Sequence, residues 1–393
     1  MRRYLEILRS PHIGALFATS LLARLPMGIN GLAIVLLLRA ETGSFAVAGA
    51  AAGALALGTG VAAPFAARLV DTTGRGVLVV LAALHAAGLV GVVLLAGPDT
   101  PAMPLIACAA LAGAAFPPAS SVTRAMYPVL LEGRPQLLHG AFALDSVLTE
   151  SIFTIGPLLT ALLVATVEPA AALIVAAVAS LAGTAAFVAV LPPAEPRTQE
   201  RQGGRLGALA APGIRTLVLT MFPVGFAFGA LEVAIPAFAD AEGRPELAGV
   251  LIAIWSLASL AGGLAYGAMP RRGSLQRAHL HVALLLPVSF LPVALAVSPA
   301  TMALLVVPAG IFIAPMIATR NELAGRVALA GTETEAYTWP LTALVGGIAF
   351  GAAASGAIAD SLTWQTAVLV AAASAGVGAV LATARRATLA PAT

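Results

Sequence analysis

Two carboxylates lie inside an apolar stretch, residues 139–166, that is long enough to cross a bilayer. Glu150 lies about 17 Å along a helix from the start of this stretch, near the middle of a hydrocarbon core of about 30 Å. Ser146, Glu150 and Thr154 follow at four-residue steps and share one helix face, whereas Asp145 points elsewhere. Because ionisable groups at this depth are costly and usually functional, we predict that these residues take part in binding substrate or protons.

A cation lies at a similar depth in another apolar segment. Arg24 is about twelve residues into the first segment and is predicted to form a salt bridge with Glu150. The pair is either a permanent structural contact or a switchable one, in which Glu150 takes a proton and frees Arg24 for a polar or anionic substrate. Asp145, nearer one end of its segment, is predicted to pair with Arg124 or Arg68 at a gate.

A third carboxylate, Glu232, lies about eighteen residues into the seventh segment, on a face with Phe228, Gly225 and Pro236. No basic residue of the second half lies at its depth. An unpaired carboxylate in this setting is expected to be protonated part of the time, which is what a proton-coupling site requires. The alternative is an ordinary, solvated carboxylate near the outer mouth.

Two further segments are polar and interrupted by proline, with the sequences FPPASSVTR at 116–124 and FIAPMIATRNE at 312–322. Backbone carbonyls freed by proline, together with Ser120 and Ser121, are candidates for contact with a substrate. The alternative is that these hydroxyl groups hydrogen-bond to the backbone of their own helix and do not contact a substrate.

Composition identifies an integral membrane protein. Of the 393 residues, 60% are hydrophobic and 10% charged, with a mean hydropathy of +0.97, whereas soluble domains are about 25% charged. All 21 basic residues are Arg, which excludes a P-loop lysine and therefore ATP-driven transport by this chain alone. No metal-ligand set, catalytic nucleophile or cofactor fingerprint is found, and scattered arginines do not indicate nucleic-acid binding. We predict no enzyme activity, no cofactor and no metal.

Apolar runs of spanning length predict twelve transmembrane helices. Their predicted ranges are 13–38, 44–68, 76–96, 102–126, 139–166, 168–191, 213–238, 246–269, 277–297, 299–319, 333–358 and 362–384. Eighteen arginines, with Arg124 and Arg320 counted among them, are assigned to the loops of one side, whereas the other side has only Arg39 and Arg244. The positive-inside rule then predicts a protein of the cytoplasmic (inner) membrane with both termini in the cytoplasm.

The chain divides at its longest polar break. A linker at 192–212 separates a predicted six-helix bundle at 1–191 from a second at 213–393. The halves share short elements at matching positions, such as Ala48-Gly49 with Ala248-Gly249. Repetition of this kind is typical of transporters that move one half against the other around a midplane site.

The loop after the second segment, ARLVDTTGRG at 67–76, supports a family assignment. It resembles the G-x-L-A-D-R-x-G-R-R loop of the major facilitator superfamily, with Asp71, Gly74 and Arg75 at the Asp, Gly and Arg positions. The resemblance covers nearly the whole chain. It implies an all-α fold of twelve helices in two pseudo-symmetric bundles, with Asp71 closing a gate at the N-terminus of the eleventh helix. It also implies that the first, fourth, seventh and tenth helices line the cavity, which would place Arg24 and Glu232 on its wall.

Gly156-Pro157 lies where exporters of this superfamily, of the drug/proton antiporter type, carry a fifth-helix G-x-x-x-G-P element. The resemblance therefore favours proton-coupled export of a small amphipathic compound by a monomer in the lipid bilayer. Two alternatives remain open. The first is proton-coupled uptake of a small anionic nutrient held by Arg24, and the second is a membrane scaffold or sensor that transports nothing.

Overall fold

The computed structural model describes residues 7, 13–192, 202–244, 247–269 and 273–390, and only the backbone of Phe45, Ala46, Pro135, Gln136, Glu150 and Asp360. Within these residues the chain is all-helical, and twelve helical spans are long and apolar enough to cross a membrane, which confirms the predicted number. The spans are Ile13–Thr42, Val47–Thr73, Val77–Leu95, Ala102–Leu130, Leu137–Thr166, Pro169–Val190, Pro212–Ala241, Leu247–Ala268, Leu275–Leu295, Pro299–Val327, Glu333–Ala359 and Trp364–Ala384.

Four spans are interrupted, and a proline lies within three residues of each interruption. Proline lacks a backbone N–H and disturbs the helical ladder. The first span consists of Ile13–Arg24 and Pro26–Thr42, the fourth of Ala102–Ala114 and Ala119–Leu130, and the tenth of Pro299–Ile311 and Ile313–Val327. The ninth changes from an α-helix, Leu275–Phe290, to a 3₁₀ turn, Leu291–Leu295. Interrupted helices free carbonyl groups and allow polar side chains to sit at membrane depth.

Several predicted boundaries are corrected. The second helix continues to Thr73 instead of ending at 68, which places Asp71 on its last turn. Arg124 and Arg320, counted above with the loops, lie inside the helices Ala119–Leu130 and Ile313–Val327 and are buried. The positive-inside rule is statistical, and it assigned two buried arginines to a loop because they lie near the ends of apolar runs. Of the predicted linker at 192–212, residues 193–201 lie outside the described part of the chain.

Buried apolar side chains form three clusters. One draws only on the first six spans, including Ile34 and Leu173, and another only on the last six, including Leu231 and Phe290. The third, which we name the inter-half core, combines residues of both halves, including Phe142 and Tyr337. It lies at the end of the bundle where the first span begins and the second ends. We call this the Arg-rich end, since Arg68, Arg75 and Arg205, among the described residues, lie there.

Several helices approach each other so closely that only glycine fits between them. A methyl group on Gly28 of the first span would overlap the carbonyl oxygen of Ile152 in the fifth, and one on Gly156 would overlap the backbone of Gly28. Within a membrane, where lipid tails are as apolar as leucine, such contacts hold helices together through close packing. The Gly156-Pro157 element therefore forms a tight contact between the first and fifth spans.

Replacing Gly28 tests this contact. Gly28→Ala is expected to lower the free energy of unfolding by about 1–3 kcal/mol, because the helices must move apart. Gly31→Ala lies one turn further along the same helix with open space around it, so it should be neutral or stabilising by up to about 1 kcal/mol. Thermal unfolding of the purified protein in detergent measures both variants. Equal stability of the two variants would contradict the proposed packing.

Candidate functional site

Arg24 is the last residue of the first helical segment, immediately before the break at Leu25 and Pro26. Its guanidinium turns into the first half, where Nη1 donates to Oδ1 of Asp145 at 2.8 Å and Nη2 donates to Oγ1 of Thr149. Thr149 lies one turn after Asp145 and donates to its backbone carbonyl at 2.9 Å. The break in the first span thus places the guanidinium of Arg24 against Asp145 and Thr149 of the fifth span.

Asp145 lies at the centre of this arrangement. Its Oδ2 accepts a hydrogen bond from Nε of Arg124 at 2.7 Å, and its Oδ1 accepts a second bond, from the hydroxyl of Tyr127, at 3.1 Å. Tyr127 lies three residues after Arg124 on the fourth span, so one helix face supplies both donors. We name Arg24, Asp145, Arg124, Tyr127 and Thr149 the Asp145 network.

The Asp145 network is buried and carries more positive than negative charge. Arg24 is 1% exposed, Arg124 2% and Asp145 0%. Two guanidinium groups share one carboxylate, and Nε of Arg24 and Nη1 of Arg124 have no hydrogen-bond partner. In a medium of low dielectric constant the loss of any one of these ions would destabilise the fold strongly, because its partner would be left as an unpaired buried charge.

The predicted partners of Arg24 and Asp145 are tested in part. Arg24 contacts Asp145, a pair that the sequence did not predict. The side chain of Glu150, the predicted partner of Arg24, lies outside the part that the structure describes, so that pair stays a prediction. Asp145 does pair with Arg124, one of the two partners that the sequence predicted. Arg68, the other, donates instead to the carbonyl of Arg205 in the connection between the halves, at 2.9 Å.

The second half contains a buried arginine with a different environment. Phe116 precedes Thr123-Arg124 by seven residues, and Phe312 precedes Thr319-Arg320 at the same spacing. Arg320 is 1% exposed, and its Nη2 donates to the side-chain oxygen of the adjacent Asn321. Its Nε and Nη1 have no partner.

Polar contacts join the two halves at the Arg-rich end. Asp71 accepts the backbone N–H groups of Thr334 and Glu335 at 3.2 and 3.0 Å, in the first turn of the helix Glu333–Ser361. The predicted contact between Asp71 and the eleventh helix is therefore present. A carboxylate suits this position because the helix N-terminus has unpaired N–H groups and a positive dipole end.

The residues next to Asp71 shape the end of the second span. Gly74 ends the helix with φ +93°, a conformation that a side chain disfavours. Arg75 then donates to the carbonyl of Leu191 at the end of the sixth span at 2.6 Å. Arg75 thus holds the loop onto its own half, and Asp71 is presented to the other half.

Two more contacts between the halves lie nearby. The hydroxyl of Thr338 in the eleventh span donates to that of Ser121 in the fourth at 2.7 Å. Nε2 of His139 in the fifth span lies 2.9 Å from the carbonyl of Tyr266 in the eighth, and its Nδ1 lies 3.5 Å from a carboxylate oxygen of Glu322 in the tenth. We name these contacts, together with those of Asp71, the inter-half seal.

The other predicted residues are distributed more widely. Ser146 is buried and donates to the carbonyl of Phe142 in its own helix, and Thr154 is exposed one turn beyond Glu150. Ser120 is buried next to Ser121. Phe228 packs in the core of the second half, with its ring centroid 6.4 Å from that of Phe290.

Glu232 lies within the seventh span and is exposed at the surface of the helix bundle. Within the described part of the chain it has no hydrogen-bonding or ion-pair partner. The apolar Phe228 and Pro236 lie one turn to either side of it. An ionised carboxylate in such surroundings is unfavourable, and proton binding removes that cost.

Several residues of the site were not predicted from the sequence. Tyr127 and Thr149 lie one helical turn from Arg124 and Asp145, so their spacing is a usable signal. Arg320 occupies a position in its own half like that of Arg124, so the repeat between the halves is a signal for it. His139 gave no local signal, because its partners lie in distant spans.

Comparison with known proteins places this arrangement in a family. The Major Facilitator Superfamily profile matches residues 16–339. The chain belongs to this superfamily. No curated protein sequence matches it closely enough to narrow the assignment.

Solved structures of superfamily members share the fold. A bacterial homologue of the iron transporter ferroportin in its outward-facing state has a TM-score of 0.79 at 15% identity, covering 95% of this chain and 99% of that one. The human organic anion transporter MFSD10 (TETRAN) has a TM-score of 0.74 at 17% identity, covering 94% and 98%. The fucose:proton symporter FucP of Escherichia coli has a TM-score of 0.73 at 16% identity, covering 95% and 98%.

Superfamily membership gives the general activity. Its members are membrane transport proteins, not enzymes; they carry small-molecule substrates and typically work as monomers. This chain is therefore a multi-pass secondary transporter, and the Asp145 network and the inter-half seal belong to a transport protein. Among the described residues, no group of three or more His, Cys, Asp or Glu side chains is placed to hold a metal ion.

Removing the central carboxylate tests the Asp145 network. Asp145→Asn leaves two buried guanidinium groups without a counter-ion, so we expect the free energy of unfolding to fall by about 3–5 kcal/mol. Ser146→Ala, at the next position, removes a bond within one helix and should cost no more than about 1 kcal/mol. Thermal unfolding in detergent compares the two. Equal losses would show that the ion pairs do not hold the first half together.

Proposed function

We propose that this transporter works by alternating access, is driven by protons and exports a small amphipathic compound, in the manner of drug/proton antiporters. The observation that carries the proposal is the asymmetry of the contacts between the halves. The inter-half core and the inter-half seal both lie at the Arg-rich end, whereas each of the other two cores belongs to a single half. Such an arrangement is suited to two halves that close at one end while opening at the other.

The proposed orientation follows the arginines. We place the protein in the inner membrane with its Arg-rich end facing the cytoplasm, as the positive-inside rule predicts. Both termini then face the cytoplasm. The seal then closes the cytoplasmic side, and the conformation is outward-facing. The likeness to the ferroportin homologue, whose structure is described as outward-facing, supports this proposal.

The strength of the seal is suited to a switch. It consists of two hydrogen bonds to a carboxylate, of about 1.5–3 kcal/mol each, and a few further hydrogen bonds of about 1 kcal/mol. Shifting a two-state equilibrium from about 1:99 to about 99:1 takes about 5.5 kcal/mol. The seal is therefore of the order that binding of a substrate or proton can overcome.

Proton coupling is supported by Glu232 and by the predicted role of Glu150. Glu232 is an unpaired carboxylate in a membrane-spanning helix. When it binds a proton it is neutral, so the transporter can change conformation without exposing a charge to lipid. Export is supported by Gly156-Pro157, which occupies the exporter position and packs against the first span. Uptake of an anion held by Arg24 is less favoured, because both of its terminal nitrogens are engaged by Asp145 and Thr149. One solved structure of the same fold is the human organic anion transporter MFSD10, which supports an anionic compound as cargo.

A cross-link across the seal tests alternating access. Ser121→Cys with Thr338→Cys, in a background where the single cysteine is replaced by Cys108→Ala, places two thiols where hydroxyls lie 2.7 Å apart in opposite halves. Oxidation is expected to stop transport of ethidium, Nile red or carboxyfluorescein, whichever the wild type carries in vesicles, and reduction to restore it.

The matched control joins two spans of the same half. The hydroxyls of Ser20 and Thr123 are also 2.7 Å apart, and both belong to the first half. The Ser20→Cys/Thr123→Cys pair should form a disulfide without blocking transport. If oxidation of the inter-half pair leaves transport intact, alternating access about this seal is wrong, as it would be for a scaffold.

Neutralising Glu232 tests the coupling. Glu232→Gln keeps the shape of the side chain and removes its titration, so transport driven by a pH gradient should fall at least tenfold while exchange without a gradient remains. Glu242→Gln, just beyond the end of the same helix and exposed, serves as the control and should behave as wild type. Dye transport with and without a protonophore measures both. Full gradient-driven transport by Glu232→Gln would remove Glu232 from the proposal.

A further inference from the structure

Arg320 is a buried cation whose hydrogen-bonding capacity is mostly unused. It is 1% exposed, and only its Nη2 has a partner, the side-chain oxygen of Asn321. Nε and Nη1 are unpaired, as is Nδ2 of Asn321. A guanidinium in a dry interior is strongly destabilising without a counter-ion, so its presence requires an explanation beyond folding.

The charges around Arg320 do not neutralise it. Arg124 and Asp145 lie within electrostatic range across the interface of the halves, and His279 lies on the adjacent ninth span. Asp145 is already bonded to Arg24, Arg124 and Tyr127. Arg24, Arg124 and Arg320 thus share the single carboxylate of Asp145, with free N–H donors on each cation. The buried carboxylate of Glu322, two residues after Arg320, is bonded to Arg326 and lies near His139.

Arg320 lies on a helix that contacts the other half. Its helix, Ile313–Val327, packs against the fifth span of the first half. Nearby, Gly263 of the eighth span lies against Val147 of the fifth and Ala314 of the tenth. In the proposed transport cycle the halves separate at the Arg-rich end, which would open this interface and leave Arg320 and Arg124 lining the opening.

We propose that Arg320 and Arg124 bind the anionic group of the transported compound, which is therefore an amphipathic organic anion such as a carboxylate with an apolar body. This inference rests on the proposed function and names its substrate class. A guanidinium presents a planar fork of N–H donors that matches a carboxylate. Most other side chains of the spans are apolar, which suits the remainder of such a molecule.

Anion binding also gives a physical link to the change of state. Closing the Arg-rich end brings Arg320 and Arg124 together in a dry interface, where like charges repel. A bound anion removes this repulsion, so the loaded transporter closes more readily than the empty one. Loading at the Arg-rich end and release at the opposite end is the order that export requires.

A pair of isosteric ligands tests the site on the wild-type protein. 2-Naphthoate and 2-naphthamide have the same apolar body and differ in charge. We expect 2-naphthoate to raise the apparent melting temperature saturably, with an affinity at least tenfold higher than that of 2-naphthamide. Equal affinities would overturn the proposal, and this measurement needs no variant to fold.

Substitution of Arg320 gives a second, distinctive result. Arg320→Gln removes an unpaired buried charge, so the ligand-free protein should melt at a higher temperature than wild type. The same variant should lose the 2-naphthoate shift, with affinity reduced at least tenfold, and Arg320→Lys should recover only part of it because the fork is absent. Arg215→Gln, exposed on the seventh span, controls for loss of positive charge and should bind 2-naphthoate as wild type does. Unchanged 2-naphthoate affinity in Arg320→Gln would overturn the assignment of the site.

The outcomes distinguish this inference from the proposed function. If the Ser121–Thr338 cross-link blocks transport while carboxylate and amide bind alike, alternating access stands and the anion site is wrong. If 2-naphthoate binds in an Arg320-dependent way while the cross-link leaves transport intact, the anion site stands and the proposed transport cycle is wrong.

Discussion

The structure depends on the shielding of charge from lipid. Asp145 is held between Arg24 and Arg124 with no exposed surface, and the helices that carry these residues are broken or polar where they meet. The low dielectric constant of this region makes each contact strong and each unpaired group costly. The break at Leu25 and Pro26, the proline pair before Ala119 and the polar face of the fifth span all bring these charges together.

The same constraint explains why the two halves differ. Their sequences repeat short elements, yet the first half has a carboxylate between its arginines and the second has Arg320 beside Asn321. The arginines of the first half share the carboxylate of Asp145 and keep one unpaired nitrogen each, whereas Arg320 has no carboxylate bonded to it and keeps two. The polar interior of the first half is therefore the better neutralised of the two.

Much of the fold was predictable because it depends on length and hydropathy. Twelve apolar runs gave twelve spans, and the Asp71 motif gave its contact with the eleventh helix. The contact of Arg24 with Asp145 was not predictable. Asp145 and Glu150 are five residues apart and point to different faces, and a helix of Ala, Leu, Val and Gly shows no periodicity that tells which face meets the first span. Arg320 was placed in a loop because charge near the end of an apolar run is the same signal for a buried cation and a solvated one. Contacts between distant spans, such as that of His139 with Tyr266, have no local signature.

Two of the donors that meet Asp71 are the main-chain amides of Thr334 and Glu335, and the side chain of Thr334 also hydrogen-bonds to Asp71. A main-chain amide is supplied by almost any residue, so the eleventh helix can vary in sequence at position 335 and still present that donor. The acceptor, by contrast, is one side chain of the second span, so a single codon change at Asp71 removes all of these hydrogen bonds at once.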